Sequence, residues 1–232
     1  MPIRALAADY DGTLATHGEA PDFVAAALER LKASGRRLAL VTGRRLPVLH
    51  EVFARIDLFD IVVAENGALL YRPGLDEAEP LATKPPAAFI AALARRNVEP
   101  LALGRTIVAA DASRVADLLG AIAEAGIDWR VILNKDSAMC LPRGVDKASG
   151  LRHALRALDL PADDVVGVGD AENDLTFLAL CGVAAAVAGA APQVKAAADL
   201  VTEGDAGAGV AWLIERILEG ADFPTRRVDV GR

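Results

Sequence analysis

Aromatic residues make up only 4% of this 232-residue chain, cysteine occurs twice and histidine three times. Each scarcity closes a class of function. Cys140 and Cys181 stand far apart in apolar surroundings and belong to no CxxC pair. That argues against a disulfide framework or a zinc site and assigns both to core packing in a reducing compartment. His17, His50 and His153 form no HExxH-like set. No apolar run approaches the roughly 18 residues of a membrane span, and the N-terminus lacks the basic and apolar regions of a signal peptide, so the expected location is the cytoplasm, with no membrane partner. No basic block offsets the net charge of −7, so a nucleic-acid partner is not expected either.

What is abundant is apolar residue, 53% of the chain, enough for one large core or one core plus a small satellite. Residues 3–9 (IRALAAD) read as a buried strand and 21–34 as an amphipathic helix, with Pro21 near its first turn and Gly35 as its stop. RLALVTG (37–43) is a second strand, a helix follows over 46–55, and DIVVAENG (60–67) is a third strand. Strands alternating with helices imply right-handed crossovers and a parallel sheet. The rhythm then changes. After an arm at 68–73 comes DEAEPLATKPP, which reads as a domain-crossing linker. Beyond it lie a helix (86–96), two short strands (99–103 and 105–110), a helix (113–125) and two more strands (128–134 and 137–142).

PRGVD (142–146) reads as the return linker, and the first rhythm resumes: a helix at 148–159, a strand at 165–170, a helix from 172, a strand at 182–187, a helix at 192–198, a strand at 199–202, a helix at 207–219 and a loose tail. The expected fold is α/β, a Rossmann-like parallel-sheet core built from 1–83 and 142–232, with an inserted αββαββ unit at 84–141.

In open parallel sheets, ligands bind beyond the carboxyl ends of the strands. Here four strands end in polar residues: Asp9-Tyr10-Asp11-Gly12-Thr13, Thr42-Gly43-Arg44, Glu65-Asn66-Gly67 and Gly169-Asp170-Ala171-Glu172-Asn173-Asp174. Any one cluster is explained by turns and helix caps. Four at one sheet edge are better explained by a site. An EF-hand loop from Asp170 fails because Leu175 stands where glycine is required, a dinucleotide fingerprint from Gly167 fails at Glu172, and GDAGAG (204–209) lacks the Lys-Ser/Thr ending of a P-loop.

DYDGT, the strand ending VTGR, the lysine in GVDKASGL, and GDAEND together resemble the four motifs of the haloacid dehalogenase superfamily of phosphatases, over residues 3 to 219. An insertion after the third strand, preceded by ENGA, resembles the Cof-like, or IIB, subgroup, which includes phosphoglycolate, sugar-phosphate and sucrose-phosphate phosphatases.

The resemblance implies a phosphomonoesterase with Asp9 as nucleophile and an aspartyl-phosphate intermediate. It implies Mg2+ held through Asp9, the main-chain carbonyl of Asp11, and Asp170, with Asp174 orienting the surrounding shell. The side chain of Asp11 is implied as general acid and base, Thr42 and Gly43 as phosphate donors, and Lys147 as the cation that neutralises the phosphoryl charge. Asn173 is expected to support the loop or a phosphate oxygen, and Arg44 and Asn66 to meet the non-reacting part of the substrate or the insert. Tyr10, where an aliphatic residue is more usual, is expected to pack beside the site. Arg105, Lys135 and Arg143 receive no catalytic role. The implied partner is a small phosphorylated metabolite, and both monomer and homodimer remain open. Two alternatives stand beside the phosphatase: a phosphotransferase or sugar phosphomutase on the same scaffold, and a non-hydrolytic phosphometabolite-binding module.

Overall fold

Strands buried on both faces have no room for polar side chains, so the short Ala/Val/Leu runs become the middle of one sheet. The computed structural model describes residues 3–134 and 136–224; Lys135 and residues 225–232 of the tail lie outside the described residues. The first half of the core comprises β1 (Ala5–Ala8), α1 (Asp22–Ala33), β2 (Arg37–Val41), α2 (Leu46–Val52), β3 (Ile61–Ala64), β4 (Leu69–Arg72) and β5 (Glu77–Pro80). The insert follows with α3 (Ala87–Arg95), β6 (Ala102–Leu103), β7 (Val108–Asp111), α4 (Val115–Ala125), β8 (Trp129–Asn134) and β9 (Ser137–Pro142). The core then resumes through α5 (Lys147–Ala157), β10 (Val165–Gly169), α6 (Leu175–Leu178), β11 (Val183–Ala186), α7 (Pro192–Ala197), β12 (Leu200–Val201) and α8 (Ala206–Leu218).

The core sheet runs β12-β11-β10-β1-β2-β3-β4-β5, parallel from β12 to β3 and antiparallel at β4 and β5. All residues of β1, β3, β10 and β11 are buried. From β1 the chain builds outward through β2 and β3 on one side and later through β10 and β11 on the other. The crevice at the carboxyl ends of β1 and β10 is therefore the topological switch point, where such sheets bind ligands.

The insert is a four-stranded antiparallel sheet, β6-β7-β9-β8. Its strands alternate. Val108, Ala110, Ala138 and Cys140 face α3 and α4 in a cluster with Phe89, Leu93, Leu118 and Trp129, while Ala109, Ser137 and Met139 line a cavity on the core side. The insert cluster contains no core residue and the large core cluster no insert residue; Ala68, Ile107, Met139 and Leu141 form the small apolar contact between the two units.

Several segments differ from the sequence reading, among them the strand expected at 99–103, which is only the pair Ala102–Leu103, and the helix expected at 113–125, which opens as a 3-10 turn at Ala112–Arg114. Residues 77–80, read as linker, form edge strand β5, whose exposed residues hide the alternation that marks a strand. Helix α2 stops at Val52 because Phe53 adopts an extended backbone and packs its ring against Tyr10 and Phe59. The helix expected from 172 begins as a 3-10 turn at Glu172–Asp174 before the short α6.

Candidate active site

Asp9 follows the last residue of β1, and burial leaves it 4% exposed. Its carboxylate accepts a hydrogen bond from Lys147 Nζ at 2.6 Å, and the same ammonium donates to Asp174 Oδ1 at 2.5 Å. Lys147 is the first residue of α5. Asp146 caps that helix by accepting from the Ser149 N–H while the Ser149 hydroxyl accepts from the Asp146 N–H, so a capping box fixes where the lysine leaves the backbone. Burial pushes the Asp9 carboxyl well above its ordinary pKa, the Asp174 charge adds to this, and Lys147 opposes it. Burial also works against the Lys147 ammonium, but the Asp174 and Asp9 carboxylates together outweigh it and hold that pKa above the ordinary lysine value.

Asp170 stands just beyond β10. Thr13 Oγ1 donates to its Oδ1 at 3.3 Å, and Asp174 Oδ2 accepts from the backbone N–H groups of Asp170 and Ala171 at 3.0 Å each. Gly12, at φ +89°, lets the Asp170 carboxylate lie against the backbone beyond Asp9: a Cβ there would stand 2.2 Å from Asp170 Oδ2. Asp9, Asp170 and Asp174 each offer a carboxylate oxygen within 4.8 Å of the others. This is an all-oxygen, hard donor set of the kind that holds Mg2+. Asp174 thus has a second task, since one oxygen fixes Lys147 and the other fixes the Asp170 loop.

Asp11 is held by Arg44 in a two-pronged ion pair, Nε to Oδ2 at 2.7 Å and Nη2 to Oδ1 at 2.6 Å. The guanidinium lies over the Tyr10 ring, 5.2 Å from its centroid. Tyr10 is fully buried, and its hydroxyl lies within hydrogen-bond distance of the carbonyls of Gly18 and Val52. Burial pushes its pKa up to about 12. Arg44 therefore rests on a core residue, Asp11, and not on the insert.

Thr42 is buried, and its Oγ1 accepts from the Arg44 N–H at 3.1 Å. Gly43 packs against the Asn66 amide. Asn66 does reach the insert: its Nδ2 donates to Met139 Sδ at 3.0 Å, and its Oδ1 stands 3.5 Å from Asn173 Nδ2. A cavity of about 290 Å³ opens here, lined by Asp11, Gly43 and Arg44 from the core and by Ala109, Ser137 and Met139 from the insert. A second, of about 460 Å³, touches Asp11, Gly12 and Asp170 from the outer side. Arg143 pairs with Asp128 on the surface, and Arg105 Nη1 lies 3.4 Å from the Ala78 carbonyl, away from these residues.

Sequence reasoning missed two residues. Thr13 completes DYDGT but carried no role; its partner is 157 residues away. Glu65 was quoted as a strand end, and the structure buries its carboxylate against the insert.

Residues 6–102 and 106–214 match the sequence profile of the haloacid dehalogenase-like hydrolases. The chain belongs to that family. As a haloacid dehalogenase-like hydrolase it is an enzyme, and its α/β core with an insert is the family's architecture. It is 30% identical to the phosphoglycolate phosphatase of Aeropyrum pernix over 232 residues, covering 96% of each chain. It is 36% identical to phosphoglycolate phosphatase 2 of Saccharolobus solfataricus over 121 residues, 51% of this chain and about half, 49%, of that relative's length. Among solved structures, the Thermoplasma acidophilum 0175 protein superposes with a TM-score of 0.78 at 19% identity, over 94% of this chain and 99% of that one. A subclass IIB sugar phosphatase superposes at 0.70 with 18% identity, over 94% and 98%. Among the described residues, no helix is long and apolar enough to cross a membrane.

Proposed function

We propose that this haloacid dehalogenase-type phosphatase is a Mg2+-dependent phosphomonoesterase acting on a small phosphorylated metabolite, phosphoglycolate being the first candidate, by way of an aspartyl-phosphate on Asp9. The observation that carries the reading is the buried Asp9–Lys147–Asp174 set beside Asp170, with Asp11, two residues after Asp9, lining a cavity between the core and the insert. Mg2+ would be held by Asp9, the Asp11 carbonyl and Asp170, and when bound it offsets the repulsion between a carboxylate nucleophile and a phosphate dianion.

The Asp9 carboxylate oxygen forms the new bond to phosphorus as the bond to the leaving oxygen breaks, and Asp11 supplies the proton that oxygen takes up. Lys147 neutralises charge on the phosphoryl oxygens, with the Thr42 hydroxyl and the Gly43 N–H as donors and Asn173 supporting their loop. Asp11, now a carboxylate, takes a proton from water as that water attacks phosphorus, and Asp9 leaves with its carboxylate restored. Asp174 acts by holding Lys147 and the Asp170 backbone in place.

The substrate-side argument is one of unmet hydrogen bonds. A sugar carries several hydroxyls that need partners once buried, and the insert's lining offers Ala102, Ile107, Ala109 and Met139 with one hydroxyl, on Ser137. A short carboxylate needs one cation, and Arg44 lines the same cavity; its fork, which holds Asp11 in the free enzyme, would pass to the substrate carboxylate and release Asp11 to carry its proton. The relatives named phosphoglycolate phosphatase point the same way. The two free, buried cysteines fit work in a reducing cytoplasm.

The test is phosphate release from a panel containing phosphoglycolate, hexose phosphates and p-nitrophenyl phosphate, with Mg2+ and with EDTA. Phosphoglycolate should give the highest kcat/KM, chelation should abolish turnover of every substrate, and added Mg2+ should restore it. Turnover unchanged in EDTA contradicts the metal-bridged mechanism, and transfer of the phosphoryl group to a sugar hydroxyl in place of water contradicts the hydrolytic one.

A further inference from the structure

Glu65 is a carboxylate buried to 1% exposure, away from the proposed chemistry, and its partners belong to the insert. Oε1 accepts from the Arg105 N–H at 2.9 Å, and Oε2 accepts from the Thr106 N–H at 2.9 Å and from the Thr106 hydroxyl at 2.7 Å. Thr106 is fully buried. Gly104, two residues earlier, leaves no space for a side chain: a Cβ there would stand 2.6 Å from Glu65 Oε2. The 104–106 turn between β6 and β7 is thus shaped around one core carboxylate.

The base under that carboxylate is rigid. Glu65 has a left-handed backbone, φ 52°, and its N–H donates to the Arg44 carbonyl at 3.0 Å, while the Asn66 N–H donates to the Thr42 carbonyl at 3.1 Å. Gly67 closes the turn against α5; a Cβ there would stand 1.8 Å from the Asp146 carbonyl oxygen. Glu65 is therefore fixed with respect to Thr42 and Lys147, whereas its donors belong to the insert.

We propose that Glu65 is a positioning residue: it latches the insert in the closed register that sets Ala109 and Met139 over Asp11, and so contributes to substrate selection. This rests on the phosphatase reading above. The other contacts between the units include the Ala68, Ile107, Met139 and Leu141 cluster, the Asn66–Met139 hydrogen bond, and arginine donors to single carbonyls, Arg45 to Leu103 at 3.1 Å, Arg130 to Val145 at 2.7 Å and Arg105 to Ala78 at 3.4 Å; among these, Glu65 is the one buried carboxylate with three donors. On opening, the carboxylate exchanges three protein donors for water, so the latch is reversible and its effect is mainly on register. From Thr106 the chain continues directly through Ile107 and Val108 to Ala109 in the cavity wall, so a shift at the latch is carried three residues along to the substrate's side.

Glu65→Gln keeps the volume but turns an amide NH2 toward an N–H donor, which must break at least one of the three bonds. Three quantities decide the matter: amide hydrogen exchange at Arg105 and Thr106, and KM and kcat on phosphoglycolate and on p-nitrophenyl phosphate. Exchange at both amides should speed up about tenfold and KM for phosphoglycolate should rise about tenfold, with kcat on p-nitrophenyl phosphate within about twofold of the parent. Unchanged exchange overturns the latch, and so does a parallel fall of kcat on both substrates at unchanged KM. If Glu65→Gln does not fold, Thr106→Val, which removes the hydroxyl and keeps both N–H groups, should give the same pattern at about two- to threefold, and its absence counts against the proposal. A parent protein that hydrolyses neither substrate would refute the phosphatase reading, while the exchange arm would still decide whether the latch exists.

Discussion

The eight-stranded core and the four-stranded insert place their polar residues in opposite ways. In the core, Asp9, Thr42, Lys147 and Asp174 are all buried, gathered at the strand ends, and held by one another or by backbone groups, while Asn66, also buried there, reaches across to Met139. In the insert, Arg95 and Arg96 pair with Glu124 and Arg114 with Asp117 on the outside, and among the described residues Ala109, Ser137 and Met139 line the cavity toward Asp11. Burial on the core side shifts pKa values and stores electrostatic work; small side chains on the insert side only shape space. The proposed division is that the core carries the reaction and the insert chooses what reacts.

The hardest blow to that division falls on Asp9. Asp9→Asn keeps shape and removes the nucleophilic charge, so kcat should fall by at least about four orders of magnitude with the fold retained. Stability should respond in a direction that a damaged core would not show. Because the Asp9 pKa is raised in the folded protein, its favourable contribution is full below the unfolded-state value near 4 and is lost as pH rises through the raised folded value. In metal-free protein, Asp9→Asn should therefore gain on the parent as pH rises from about 4 to neutrality, as read from paired thermal melts. A difference that does not change with pH would mean that Asp9 is not the strained carboxylate of the cluster.

A smaller effect is expected from removing the insert. With residues 84–141 replaced by a short linker, the large apolar cluster of the core loses none of its members, and the four strand ends that carry the site remain. Slow, Mg2+-dependent cleavage of p-nitrophenyl phosphate should persist, while the preference for phosphoglycolate over hexose phosphates, read as a ratio of kcat/KM values, should shrink by about tenfold or more. Undiminished selectivity in a folded variant would move the choice of substrate onto Arg44 and Asn66, and loss of Mg2+ binding would mean that the insert serves the metal.

How much of this was legible in the sequence follows the same boundary. β1, β2, β3 and β10 were readable because each is a short apolar run ending in a polar cluster, and the clusters meet because the sheet is parallel. Lys147 was readable only through a motif, since one lysine among many carries no local mark of burial. β5 was missed because an exposed edge strand has no buried face to leave a pattern. The Glu65 latch was missed because its partners lie 40 and 41 residues away, in a unit whose docking no local rule predicts. The signals that were present, a glycine before Arg105-Thr106 and a glutamate opening Asn66-Gly67, become meaningful only together. Arg44 was expected on the substrate or the insert, and its grip on Asp11 is a core-to-core contact that strand-end logic alone could not distinguish.

The finest test concerns Tyr10, a core residue next to the chemistry but not assigned to it. Its ring packs on Phe53, with centroids 5.5 Å apart, and carries the Arg44 guanidinium, while its hydroxyl reaches the carbonyls of Gly18 and Val52. Tyr10→Phe keeps the ring and both stacking contacts and removes the one hydroxyl donor that the part-buried Gly18 and Val52 carbonyls share, a loss of about 1 kcal/mol. For a chain of this length that corresponds to a fall in Tm of about 2–4 °C. Arg44 keeps its platform, so kcat and KM on phosphoglycolate should stay within about twofold of the parent. A Tm shift without a kinetic one would place Tyr10 among the residues that hold the core's strand ends still. The reverse, a large fall in kcat at unchanged Tm, would bring the hydroxyl into the reaction and add an unassigned residue to the chemical side of the comparison.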